Sequence, residues 1–144
     1  MTTSDAQHPG MRKPVTQAWK GRVLVFDWYS VDGLGRIFGT GGTELAPTVK
    51  PGGYLIVAMR HPVFGRYRAR VFHVHRIVCW AFHGPPPSDD HLVRHLNGCK
   101  TDNRAENLAW GTCEENARDA VFHRRHGNAL SPLLPAQQQE ELWP

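Results

Sequence analysis

The stretch from Leu92 to Gly127 constrains this chain more than any other, because it sets several local signals in a fixed order. Leu92-Val93-Arg94 reads as a short strand that delivers His95 to its end. Asn97-Gly98 then makes a tight turn, and Asp102-Asn103-Arg104 a polar loop. Leu108-Ala109-Trp110 supplies a return strand, with Leu108 and Trp110 as core anchors. Thr112, with Glu115 three residues later, forms a capping box, so a helix begins near Cys113 and stops at Gly127. The outcome is two strands and a helix, with Asn116 on the helix's first turns.

The preceding residues are richer in strands. Arg22 to Phe26 is β-branched and aromatic, and Tyr29 to Ile37 carries Gly33 and Gly35, which permit turns between short strands. Pro51-Gly52-Gly53 leads into another strand at Tyr54 to Val57. Tyr67 to His73 alternates, with Arg68, Arg70 and Phe72 on one face and Tyr67, Ala69, Val71 and His73 on the other. That arginine face suits a phosphate backbone; a plainly solvated sheet face is the commoner fate of such residues. From Val74 the period changes: Val74, Ile77, Val78 and Ala81 repeat at helical spacing until Gly84-Pro85 stops the helix. Pro85-Pro86-Pro87-Ser88 is a stiff connector to the strand–loop–helix unit.

These signals predict an α+β chain with a small N-terminal β-rich module at 21–73 and a second unit at 74–127. Residues 1–20 are expected to be flexible and 128–144, with a run of three glutamines, loosely ordered. Three cysteines, none in a Cys-x-x-Cys, favour a reducing cytosolic setting without a disulfide framework. No apolar run is long enough to cross a bilayer, and the first residues lack the layout of a secretory signal.

Net charge is only +4, but it is unevenly spread. Between Leu45 and Ser88 there is no Asp or Glu, while Lys50, Arg60, Arg66, Arg68, Arg70 and Arg76 all lie there among aromatics. Such a stripe favours a polyanion, because arginines neutralise phosphates and release counterions.

The order His95, Asn97-Gly98, Asn107-Leu108-Ala109-Trp110, Glu115-Asn116 resembles the HNH endonucleases, in the phage and intron-homing group whose second histidine is replaced by asparagine. The stretch around Tyr29 to Ile37 is similar to the NUMOD4 module that often precedes such units. The resemblance implies a ββα-metal finger and metal-assisted hydrolysis of phosphodiester bonds in double-stranded DNA. It implies His95 as the general base, Asn107 as the residue that holds the loop and orients it, and Asn116 as ligand to Mg2+ or Mn2+. Arg68, Arg70, Arg76, Arg118, Arg124 and Arg125 are the expected DNA contacts. No membrane and no small-molecule cofactor are expected, and a phage origin would put the protein in the host bacterial cytoplasm.

One position departs from the pattern. Many relatives carry an aspartate immediately before the histidine as a metal ligand, and here that residue is Arg94, which cannot bind a cation. Three readings stay open. The ion is held by Asn116, phosphate oxygens and water; another side chain substitutes, with Asp102 the nearest acid although loop aspartates are more often turn formers; or Arg94 clamps the scissile phosphate directly. His123, on the same helix face as Asn116, is read as facing solvent, and His75 as structural. Two rivals stand beside the nuclease: a DNA-binding module that has lost cleavage through Arg94, and a structural protein whose polar residues only stabilise loops.

Overall fold

The structure is a computed structural model that describes residues 10–131. Antiparallel β1 (Arg12–Trp19), β2 (Arg22–Asp32) and β3 (Ile37–Phe38) form one sheet, and β4 (Thr48–Val49), β5 (Leu55–Arg60) and β6 (Ala69–His73) a second. Helix α1 (Val74–His83) follows β6 without a loop. The chain then makes the hairpin of β7 (Leu92–His95) and β8 (Leu108–Gly111), and ends in α2 (Cys113–His126).

Alternation explains β2 only as far as Phe26. Leu24 and Phe26 point inward while Val23 and Val25 are exposed, as a period of two requires. Val31 is also fully buried, although five residues from Phe26 it belongs on the opposite face. A bulge reconciles them: Pro14 pairs with Ser30 but Val15 with Phe26, so Asp27, Trp28 and Tyr29 are looped out and the inward face resumes at Val31.

Two expectations about organisation are corrected. Residues 12–19 are a full strand rather than a loose arm, and Val15 is wholly buried. Residues 1–9 and 132–144 lie outside the described residues, so the expectations of a flexible start and a loose tail are met by no observation there. The boundary expected between 73 and 74 also runs through the core. Val15, Phe26, Val57 and Phe72 belong to the same buried cluster as Ile77, Val78, Ala105 and Leu108, because α1 lies against both the first sheet and β8. The two stretches share one apolar interior.

Helix α2 is held differently. Its capping box is complete, with Thr112 accepting from the Glu115 N–H and Glu115 accepting from the Thr112 N–H. Its one buried residue is Asp119. A helix with so little apolar surface is fastened by polar contacts, and these lead into the candidate site.

Candidate active site

His95 ends β7 and is 8% exposed. Its Nε2 lies 2.8 Å from Oδ1 of the buried Asn103. An amide oxygen only accepts, so Nε2 carries the proton and Nδ1 keeps its lone pair. Burial lowers the pKa of His95 below its ordinary value, against the opposing pull of the Asn103 hydrogen bond. The ring is therefore neutral near pH 7, the state a general base needs.

Asn107 performs one of the two tasks the resemblance implies for it, holding the loop, but makes no hydrogen bond to the His95 ring. It is 2% exposed, accepts from the Asn97 N–H at 3.0 Å, and donates through Nδ2 to Asn97 Oδ1 and the Asp102 carbonyl, both at 2.9 Å. It fastens the loop that follows His95, while Asn103 orients the imidazole. Asp102 is likewise occupied. Its carboxylate accepts from Arg104 Nε at 2.8 Å and Nη2 at 2.9 Å, and from Asn97 Nδ2 at 2.8 Å. The Arg104 guanidinium pulls its pKa down to about 2. Asp102 is a loop-former rather than a substitute metal ligand.

Arg94 corrects its expectation most sharply. Its side chain is 0% exposed, and its guanidinium forms a bidentate pair with Asp119, at 2.6 Å and 3.0 Å, with Glu115 at 3.6 Å. A guanidinium so enclosed is not available to clamp a phosphate. It ties β7 to α2 instead. His123 is also inward: its Nε2 lies 2.9 Å from the Leu96 carbonyl, and its ring packs against Gly98.

Beside His95 opens a cleft of about 410 Å³ lined by Lys50, Tyr54, His73, His75, Arg76 and Asn116, among others. The His75 ring stands 5.3 Å from that of His95, and Tyr54 is 5.2 Å from His75 and 6.0 Å from His95. Burial, with the nearby His95 and His73 rings, pushes His75 down to about 3. Lys50 Nζ lies 3.0 Å from His73 Nε2. Burial and then the Lys50 charge lower the pKa of His73.

Sequence reasoning missed Asn103, Tyr54 and His73, and saw Lys50 only as one charge of the basic stripe. Asn103 was visible only as part of a polar loop, and nothing local links Tyr54 or Lys50 to a histidine some forty residues on.

The expected DNA-binding arginines do not converge. Arg76 is half-buried on the cleft wall, 5.4 Å over the Trp110 ring. Arg70 stands toward the other end of β6, roughly 10 Å along the strand from His73, and Arg68 lies just before the strand begins. Arg70 is exposed, on the same side of β6 as the buried Phe72, and lies 5.6 Å over Phe64. Arg118 pairs with Glu114 at 2.6 Å, and Arg124 and Arg125 are exposed in the last turn of α2.

The donor set was tested for a hard divalent ion. Among the described residues no three His, Cys, Asp or Glu side chains are placed to hold a metal ion together. The acids near His95 are engaged: Asp102 by Arg104, Asp119 by Arg94, and Glu115 by the helix cap and Arg94. Asn116 and the Tyr54 phenol bring the only side-chain oxygens to the described cleft lining, and neither is anionic in its ordinary state. Mg2+ and Mn2+ favour anionic oxygens, and the residues present do not fit a ready-made site for them. No described helix is long and apolar enough to cross a membrane.

The chain is similar to known proteins in sequence and in fold. The sequence model of the HNH endonuclease family matches residues 72–118. An uncharacterized HNH endonuclease of Acanthamoeba polyphaga mimivirus is 32% identical over 97 residues, covering 67% of this chain and 24% of that protein. A second from the same virus is 28% identical over 103 residues, covering 72% and 29%. The chain thus spans about a quarter of the length of these curated relatives. A structure described for DNA binding and cleavage by the HNH homing endonuclease I-HmuI shares the fold, with a TM-score of 0.56 at 22% identity, over 79% of this chain and 59% of that one.

Proposed function

Residues 72–118 are HNH endonuclease sequence on the fold of an HNH homing endonuclease, and from that premise we propose that this chain cuts or nicks duplex DNA by hydrolysing phosphodiester bonds. The observation that carries the reading is the state of His95: neutral, with its Nε2 proton held on Asn103 and its Nδ1 lone pair free to take a proton. Water attacks phosphorus as His95 Nδ1 accepts the water's proton. The phosphorus–oxygen bond opposite breaks, and the departing oxygen takes a proton from solvent.

Asn103 positions the base, Asn107 fixes the loop, and Asn116 faces the cleft from α2. HNH nucleases generally use a divalent metal. Here Mg2+ or Mn2+ at Asn116 would have one neutral amide from the protein, so no step is routed through an ion. The likeness of residues 21–73 to NUMOD4, and the roles of Arg68, Arg70, Arg118, Arg124 and Arg125 as backbone contacts, belong to the same proposal.

The test is cleavage of supercoiled plasmid with Mg2+, with Mn2+ and with EDTA, comparing the native chain with His95→Ala. Nicked or linear product should form with the native chain and fall by about 10²–10⁴-fold in the variant. Equal cutting by His95→Ala would overturn the assignment. A second reading, a DNA-binding module without cleavage, is favoured by Arg94, whose burial on Asp119 fills the place of an acid in many relatives. It predicts retarded DNA and no product under any ion.

A further inference from the structure

We infer that the cleft beside His95 is a site for a phosphate group, held by Lys50 and Arg76 and built to take that anion without a protein-bound cation. Assigning the anion to a DNA phosphodiester rests on the nuclease reading; the anion site itself rests on the charges around the cleft.

Lys50 follows β4, and its Nζ donates to His73 Nε2. An ammonium carries three N–H groups and accepts nothing, so donors remain for a ligand after one is spent on His73. Arg76 comes from the first turn of α1 and lies over Trp110, which fixes its plane. Among the described residues neither cation pairs with a carboxylate, whereas Asp102, Glu115 and Asp119 each sit against an arginine. The cleft lining contains no Asp or Glu. Its remaining polar side chains are the Asn116 amide, the Tyr54 hydroxyl, His73 and His75, and His75 Nδ1 is buried without a hydrogen-bond partner.

Two uncompensated cations in a concave, acid-free wall attract an anion and repel a hard cation. Proximity supplies the rest: His75, in the lining, stands 5.3 Å from the His95 ring. The same inference accounts for Arg94. With an acid absent from the strand end, the charge that faces the phosphate comes from the opposite wall.

The experiment follows the histidine Cε1–H signals of the full chain by NMR while inorganic phosphate is added in EDTA. The His73 and His75 signals should shift and saturate. Lys50→Met should weaken that binding roughly tenfold or more, while Lys50→Arg retains most of it. Lys20→Met, in the β1–β2 turn, should leave it unchanged, and unfolding curves check that every variant is folded. Absence of any shift, or equal phosphate binding by Lys50→Met, overturns the inference.

A short DNA duplex supplies the second arm. Lys50→Met should lower the slope of log K against log salt by about one; an unchanged slope overturns the assignment to DNA. Plasmid cutting without any phosphate-induced shift sinks the anion site alone. Phosphate binding without cutting sinks the nuclease and leaves the site standing.

Discussion

A Cβ placed on Gly35 would lie 2.6 Å from the carbonyl oxygen of Asn103, so the turn after β2 meets the loop that orients His95 backbone to backbone. The neighbouring Gly33 carbonyl accepts the Ala105 N–H at 2.8 Å. Asp32, 1% exposed, holds the turn by accepting from the N–H groups of Leu34 and Arg36 and from the Arg36 guanidinium. The first sheet thereby supports the residue that holds the His95 ring.

Gly35→Ala should therefore cost stability and cleavage together. Gly35 has φ +84, so an alanine is strained there before it meets Asn103. We expect a loss of roughly 1–3 kcal/mol in urea unfolding. Gly21→Ala is the comparison, since Gly21 also has positive φ but nothing within 4 Å of its Cβ position. Equal costs at the two sites would show that the Asn103 contact contributes nothing.

Asn103→Leu should slow plasmid cleavage by about tenfold or more while DNA retardation persists, because Nε2 loses the acceptor that sets its proton. The ¹⁵N shifts of the His95 ring report the tautomer directly. An unchanged ring spectrum would remove Asn103 from the positioning of the base.

Arg94→Met leaves Asp119 buried opposite a hydrocarbon, and breaking such a pair costs about 3–5 kcal/mol. Replacing both residues by methionine removes the stranded charge and should recover much of that loss. A single variant within about 1 kcal/mol of the native chain would contradict the pair's role in docking α2. Gly111→Ala is expected to be harmful for a related reason, since its methyl group would collide with the Arg94 side chain.

Acid should loosen the fold through the histidine cluster. His75 is held down at about 3 in the folded chain, against 6.5 for the ordinary group. The unfolded chain binds more protons between those values, so this contribution is fully present above about pH 6.5 and is lost as pH falls toward 3. His95 and His73 act in the same direction. His75→Phe should flatten the decline in melting temperature over that window; an unchanged decline would assign it to other groups.

Much of the second unit was legible locally. The hairpin, the capping box, the stop at Gly127 and the α1 span all follow from period, caps and breakers acting within a few residues. Residues 12–19 were not, because Pro14 and a polar composition obscured a strand whose pairing with β2 depends on a bulge in its partner. The arginine face of β6 was read in the right phase, and Arg68 and Arg70 are exposed, but its Phe72 end turns into the core, which alternation alone did not show.

The sequence by itself determined that His95 ends a strand before a polar loop and a capped helix, because those signals are carried by neighbouring residues. It also determined that the stretch around β5, β6 and α1 has no acid. Tertiary structure alone decided that Asn103 rather than Asn107 holds the imidazole, that Arg94 is spent on Asp119, and that Lys50 reaches His73. These partners lie 8 to 25 residues apart in the chain. Only the shared core brings them together, and burial then sets which of them are charged, neutral or already paired.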